Sequence, residues 1–236
     1  RHQKNIVGWL KTDPEYNLRF VASFPESTKK VSIENIAKAL AAFQRTLISF
    51  SSPYDQYRFN GEQQAISSSA KRGERLFFSE RLNCFQCHQA PFFTDSYTYL
   101  GLPFNEIAFH NTGLYNLSEN GTYPDSNTGI HKHTGKTGDM GRFRTPSLRN
   151  VELTAPYMHD GSVATLAEVI DIYAAGGRGE GVNNPHKSPF IKGFSMTDEE
   201  RDALIAFLQS LRQSTVDRKD NLANPDEISR IKNPIQ

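Results

Sequence analysis

The sequence predicts a mostly helical fold whose regular elements are separated by long loops, and three observations carry that expectation. Apolar residues recur at spacings of three and four in several segments, the period of helices with one buried stripe. The stretch from Ala90 to Arg149 is instead rich in Gly, Asn, Thr, Ser and Pro and has little period, as loops do. Both cysteines of the chain lie in Cys84-Phe85-Gln86-Cys87-His88, the spacing at which a c-type haem is attached. The expected class is therefore mostly α, a c-type cytochrome domain with long loops, in which the haem substitutes for missing core.

The first stripe joins Ile33, Ile36, Leu40, Phe43, Leu47 and Phe50 and predicts a core helix. Pro53, Gly61 and Ser67-Ser68-Ser69 break the pattern before a second helix, about Ala70 to Phe78, that leads into the cysteine motif. The haem module is expected to start near Ser67. A third helix opens at Thr165 with a Thr-x-x-Glu capping box to Glu168 and closes at Gly176-Gly177. Leu166, Val169, Ile170 and Tyr173 share its inner stripe; taken alone, Tyr173 reads as a core tyrosine with a bonded hydroxyl. The last helix opens with the box from Thr197 to Glu200 and buries Leu204, Ile205, Leu208 and Leu211. Beyond Arg212 the chain turns polar, which predicts a surface tail.

With 236 residues the chain has room for one substantial domain or two small ones. Lys and Arg number 27 against 26 Asp and Glu, which leaves no bulk electrostatic reason to bind nucleic acid or an anionic membrane. No apolar run reaches the ~18 to 20 residues of a membrane span. The chain opens Arg1-His2-Gln3, without Met or an apolar leader, so any targeting segment has been removed or lies outside it.

Two thiols three residues apart on one helical turn can each form a thioether to a haem vinyl group, and the adjacent His88 is then delivered to the iron as proximal ligand. A thioredoxin-like pair lacks its βαβ setting here, and a zinc site lacks a second pair of ligands. Attachment of this kind takes place outside the cytoplasm, and the absence of any other cysteine fits that compartment; a periplasmic protein is expected.

The run Arg144-Thr145-Pro146-Ser147-Leu148-Arg149-Asn150-Val151-Glu152-Leu153-Thr154-Ala155-Pro156-Tyr157-Met158-His159-Asp160-Gly161 resembles the C-terminal haem domain of bacterial dihaem cytochrome c peroxidases and MauG. Phe109-His110-Asn111-Thr112-Gly113 and Asn35-Ile36-Ala37-Lys38-Ala39-Leu40 are similar to the same family. The resemblance implies the C-terminal part of a two-domain dihaem protein. Residues 1–66 would then be the remainder of the N-terminal haem domain with a connecting helix, 67–213 the C-terminal haem domain, and 214–236 the tail. Members carry two attachment motifs and this chain carries one, so a second haem is expected in an N-terminal domain before Arg1.

The resemblance also implies ligands. The family's sixth ligand to this haem, a Met in the peroxidases and a Tyr in MauG, corresponds to Tyr173, 85 residues beyond His88. Met140, Met158 and Met196 are the rival axial ligands. Tyrosine ligation implies the MauG branch, in which H2O2 reacts at the open N-terminal haem and the oxidising equivalents are withdrawn from a Trp or Tyr of a partner protein. A hard phenolate stabilises the higher oxidation states, whereas a thioether raises the potential. The alternatives are a dihaem peroxidase that reduces H2O2 with electrons from a small cytochrome, and a monohaem electron-transfer cytochrome.

Further implied sites are Ca2+ on the backbone carbonyls of Thr154 and Pro156, and His110 and His159 as hydrogen-bonding residues of the haem pocket. Arg142, Arg144 and Arg149 are the expected partners of the haem propionates. The family's bridging Trp would precede Arg1, so Trp9 is expected to serve packing. His131 and His133 are expected to be solvated.

Overall fold

In the computed structural model, which describes residues 2–99, 101 and 107–213, the chain forms two compact units, one ending at Ile48 and one beginning at Ser49. In the first unit, α1 (His2–Thr12) and α2 (Pro14–Ser23) are separated by Asp13. Its carboxylate accepts hydrogen bonds from the Glu15 and Tyr16 amides, and Pro14 occupies the first helical turn, where a missing N–H costs nothing. Ser32 caps α3 (Ile33–Thr46). Leu10, Phe20 and Val31 form the small core, with Ile36 packed against it.

Only that part of the α3 stripe is covered. Ile33, Leu40, Phe43 and Leu47 are all exposed, Leu40 at 59%, so the expectation of a core helix is corrected. The helix forms as its period dictates, but a stripe reports only that an apolar face exists, not what covers it. Trp9 is corrected likewise: it is 58% exposed and its ring meets Tyr16 at 5.5 Å rather than entering the core.

The second unit contains α4 (Pro53–Phe59), α5 (Ser68–Phe77), α6 (His131–Thr134), α7 (Leu166–Ala174) and α8 (Asp198–Ser210). Its core joins Tyr54, Phe77, Phe93, Leu166, Ile170, Leu204, Phe207, Leu208 and Leu211. Helices α5 and α8 pack at Gly73, where a Cβ would run into the Ala203 carbonyl, so the residue must be glycine for the two backbones to approach. Both capping boxes form as expected, at Thr165 with Glu168 and at Thr197 with Glu200. The long loops carry one short antiparallel pair, β1 (Phe109–His110) with β2 (Phe143–Arg144), which places His110 opposite Phe143. Among the described residues no helix is long and apolar enough to cross a membrane. The polar tail expected from 214 lies outside the described residues.

Candidate haem site

Helix α5 ends at Phe77, and Asn83, in the left-handed region at φ 57°, turns the chain into a short 3-10 turn over Cys84–Gln86. The His88 amide bonds the Cys84 carbonyl at 3.0 Å, so both thiols and the imidazole issue from one turn. Nδ1 of His88 lies 3.0 Å from the carbonyl oxygen of Phe93. A carbonyl only accepts, so Nδ1 carries the proton and Nε2 keeps its lone pair for a metal. Burial pushes the His88 pKa down, which holds the imidazole neutral as a ligand must be.

Tyr173 comes to the same place from α7. Burial is the first cause that raises its pKa, and the charges of Cys87 and Cys84 are the next, so the phenol lies within electrostatic reach of both attachment residues. Its hydroxyl has no hydrogen-bond partner among the described residues. This overturns the reading of a core tyrosine with a bonded hydroxyl. Burial pushes both thiols up to about 12, a titration that thioether formation would abolish. Cys84, Cys87, His88 and Tyr173 are each only partly covered.

Two histidines of the loops add further polar groups. Nε2 of His159 is buried without a hydrogen-bond partner, while its ring stacks on Phe143 at 3.8 Å. An orphaned buried nitrogen costs about 1–3 kcal/mol unless another group bonds it, and a haem carboxylate has that chemistry. His110 bonds Asp95 at 2.6 Å, and the two polar atoms and the Cys87 sulfur lie within 4.8 Å of one another. Asp95 was not legible in the sequence, because a single acid in a loop carries no spacing signal. Two thiols, a neutral imidazole and a phenol without a hydrogen-bond partner among the described residues are donors whose chemistry fits a covalently bound haem.

The expected arginine partners fare differently. Arg149 points all its N–H groups at the Asp55 carboxylate and at the carbonyls of Pro91 and Ser49, so it has no donor left for a propionate and that expectation is corrected. Arg142 pairs with Asp139 at 3.6 Å, and exposed Arg144 donates to the Ser96 carbonyl. Thr154 and Pro156 are exposed. The Met140 carbonyl accepts from Asn111, Met158 takes a left-handed turn at φ 67°, and Met196 packs on the main core. His131 is bonded to the Lys136 carbonyl on the exposed α6.

A profile described as cytochrome c matches residues 70–212, and one described as di-haem cytochrome c peroxidase matches residues 1–64. The chain belongs to the di-haem cytochrome c peroxidase and MauG superfamily. Among its superfamily relatives, the cytochrome-c peroxidase IdrP1 of Pseudomonas sp. is 34% identical over 94% of this chain and 62% of its own length. The methylamine utilization protein MauG of Methylorubrum extorquens is 34% identical over 88% of this chain and 52% of its own. A crystal structure of a MauG-like protein associated with microbial copper homeostasis superposes with a TM-score of 0.82 at 40% identity, covering 94% of this chain and 65% of that one. The chain thus spans between half and two thirds of the length of these superfamily members.

Proposed function

We propose that this chain is the C-terminal haem-bearing part of a MauG-like dihaem oxidoreductase, with one haem c on Cys84 and Cys87 and with His88 and Tyr173 as axial ligands. The observation that carries the reading is Tyr173, whose phenol lies within electrostatic reach of the two cysteines and whose hydroxyl has no hydrogen-bond partner among the described residues. When bound, the haem supplies one-electron chemistry at its iron. His88, with its Nδ1 proton held by the Phe93 carbonyl, would hold the iron through Nε2. Tyr173 lies in surroundings that strongly disfavour a free phenolate, so its proton leaves only when a cation replaces it. His159, and His110 beside Asp95, would serve the haem as hydrogen-bonding groups, and Arg142 and Arg144 remain the arginine candidates for the propionates.

The reading extends to the whole protein. Residues 1–66 would complete an N-terminal domain carrying the second, open haem, residues 67–213 would form the C-terminal haem domain, and the protein would act in the periplasm. The exposed stripe of α3 supports a further protein surface there. The substrates would be H2O2 and a Trp or Tyr of a partner protein, and Ca2+ would sit on the Thr154 and Pro156 carbonyls. The similarity to IdrP1 favours a second reading, a peroxidase drawing electrons from a small redox protein. The test is Tyr173→Phe in the haem-loaded protein. Loss of a low-spin, six-coordinate ferric spectrum is the expected result, and an unchanged spectrum would sink the tyrosine ligand and return the peroxidase reading.

A further inference from the structure

Three successive carbonyls beside the proximal histidine are held by one short segment of the chain. Arg149 donates to the Pro91 carbonyl from Nε at 3.0 Å and from Nη2 at 2.7 Å. The Ser147 hydroxyl donates to the Phe92 carbonyl at 2.6 Å, and the Leu148 amide donates to the Phe93 carbonyl at 3.2 Å. That last oxygen is also the acceptor for Nδ1 of His88. Phe93 is pinned from its other side, since its fully buried ring meets Tyr54 at 5.4 Å and Phe77 and Phe207 at 6.0 Å, with the backbone in the left-handed region at φ 53°. Arg149 is itself fixed by the buried Asp55 carboxylate.

We propose that Ser147, Leu148 and Arg149 are positioning residues that set the strength of the His88 Nδ1–H bond to Phe93, and through it the electron donation of His88 to a haem iron. The inference rests on the haem reading above and adds its control. An imidazole donates more strongly to a metal when its other N–H is drawn toward an acceptor. Here the acceptor is shared between two donors, and its peptide is held on the preceding residues, so the imidazole bond keeps one fixed length instead of tightening as charge shifts. Loosening the segment lets the Phe93 carbonyl swing away from His88, which weakens donation and favours the ferrous state.

The experiment uses the whole haem-loaded protein and reads the reduction potential of the Tyr173-side haem together with its ferric EPR g values. Ser147→Ala removes, at an exposed position, the bond donated to the Phe92 carbonyl and the one accepted from the Arg149 amide at 3.2 Å, and is expected to raise the potential and shift the g values, with Ser147→Thr restoring both. Arg149→Lys, where it folds, is expected to give the larger shift in the same direction. Ser210→Ala removes a bond of the same kind, from a hydroxyl to the Phe207 carbonyl at 2.6 Å in α8, and is expected to move neither. Covalent haem with wild-type potential and g values in Ser147→Ala would overturn the inference alone. Absence of covalent haem from the wild type, read as a pyridine haemochrome, would overturn the reading beneath it.

Discussion

Arg149 and Asp55, 94 residues apart, meet as two parallel hydrogen bonds of 2.9 Å, with side chains only 6% and 4% exposed. Burial pushes the Asp55 carboxyl up, but the Arg149 guanidinium and the Ser52 hydroxyl and amide hold it below its ordinary range. The pair joins the start of α4 to the loop beside His88. Through Arg149 it also holds the Pro91 carbonyl, three residues beyond His88.

Arg149→Met should therefore destabilise the protein by about 3–5 kcal/mol, because a buried carboxylate is left without its partner. Urea denaturation checks this. The double variant Asp55→Asn with Arg149→Met should recover part of the loss, and a single variant within about 0.5 kcal/mol of wild type would show the pair to be worth no more than a surface bridge.

Asp160 predicts an acid-sensitive contribution. Burial pushes its carboxyl up, but hydrogen bonds from the Tyr115 hydroxyl at 2.6 Å and from the Ser162 amide at 3.0 Å outweigh it and bring the pKa to about 2. A folded-state pKa below the ordinary value of 3.8 gives stability that is complete above that value and lost as pH falls toward about 2. Tyr115→Phe should be less stable than wild type at pH 7 by about 1–3 kcal/mol. The gap should narrow below pH ~4 as the unfolded chain's carboxylate takes up its proton. A gap constant from pH 7 to pH 2 would show that Asp160 is not the group involved.

Gly73→Ala should disrupt the α5 and α8 packing that supports the cysteine turn. The added methyl meets backbone rather than a movable side chain, so the cost is expected at or above the ~1–3 kcal/mol of an overpacked core. A melting temperature equal to wild type would mean that the helices slide apart freely.

Cys84→Ala and Cys87→Ala should each leave haem bound through one thioether. The α band of the pyridine haemochrome should move to longer wavelength as one vinyl group regains conjugation. Cys84→Ala with Cys87→Ala should leave no haem that survives denaturation, and covalent haem in that double variant would overturn the attachment site.

Tyr173→Met tests the ligand from the opposite direction to its Phe variant. A thioether in place of phenolate should raise the potential, measured by redox titration. A potential unmoved by the exchange would place Tyr173 off the iron.

Local signals were legible. The caps at Thr165 and Thr197 lie within four residues of the groups they bond, and the cysteine turn needs only five consecutive residues, so these features depend on the chain nearby and little else. Tyr173 was placed on the inner stripe of its helix by period alone. The α3 stripe was equally plain as a pattern and misleading as a location, because what covers a face is not written in the face.

Sequence by itself determined that the chain is mostly helical, where its caps fall, and that Cys84, Cys87 and His88 stand at the spacing of a haem attachment motif. Tertiary structure alone decided that the Tyr173 hydroxyl has no partner among the described residues, that Arg149 is spent on Asp55 instead of a propionate, and that Asp95 stands with His110 beside Cys87. The physical reason is range. Helix period and attachment spacing are set by bonds between near neighbours, whereas a buried hydroxyl, guanidinium or carboxylate takes its partner from whatever distant segment the packing brings within 3 Å.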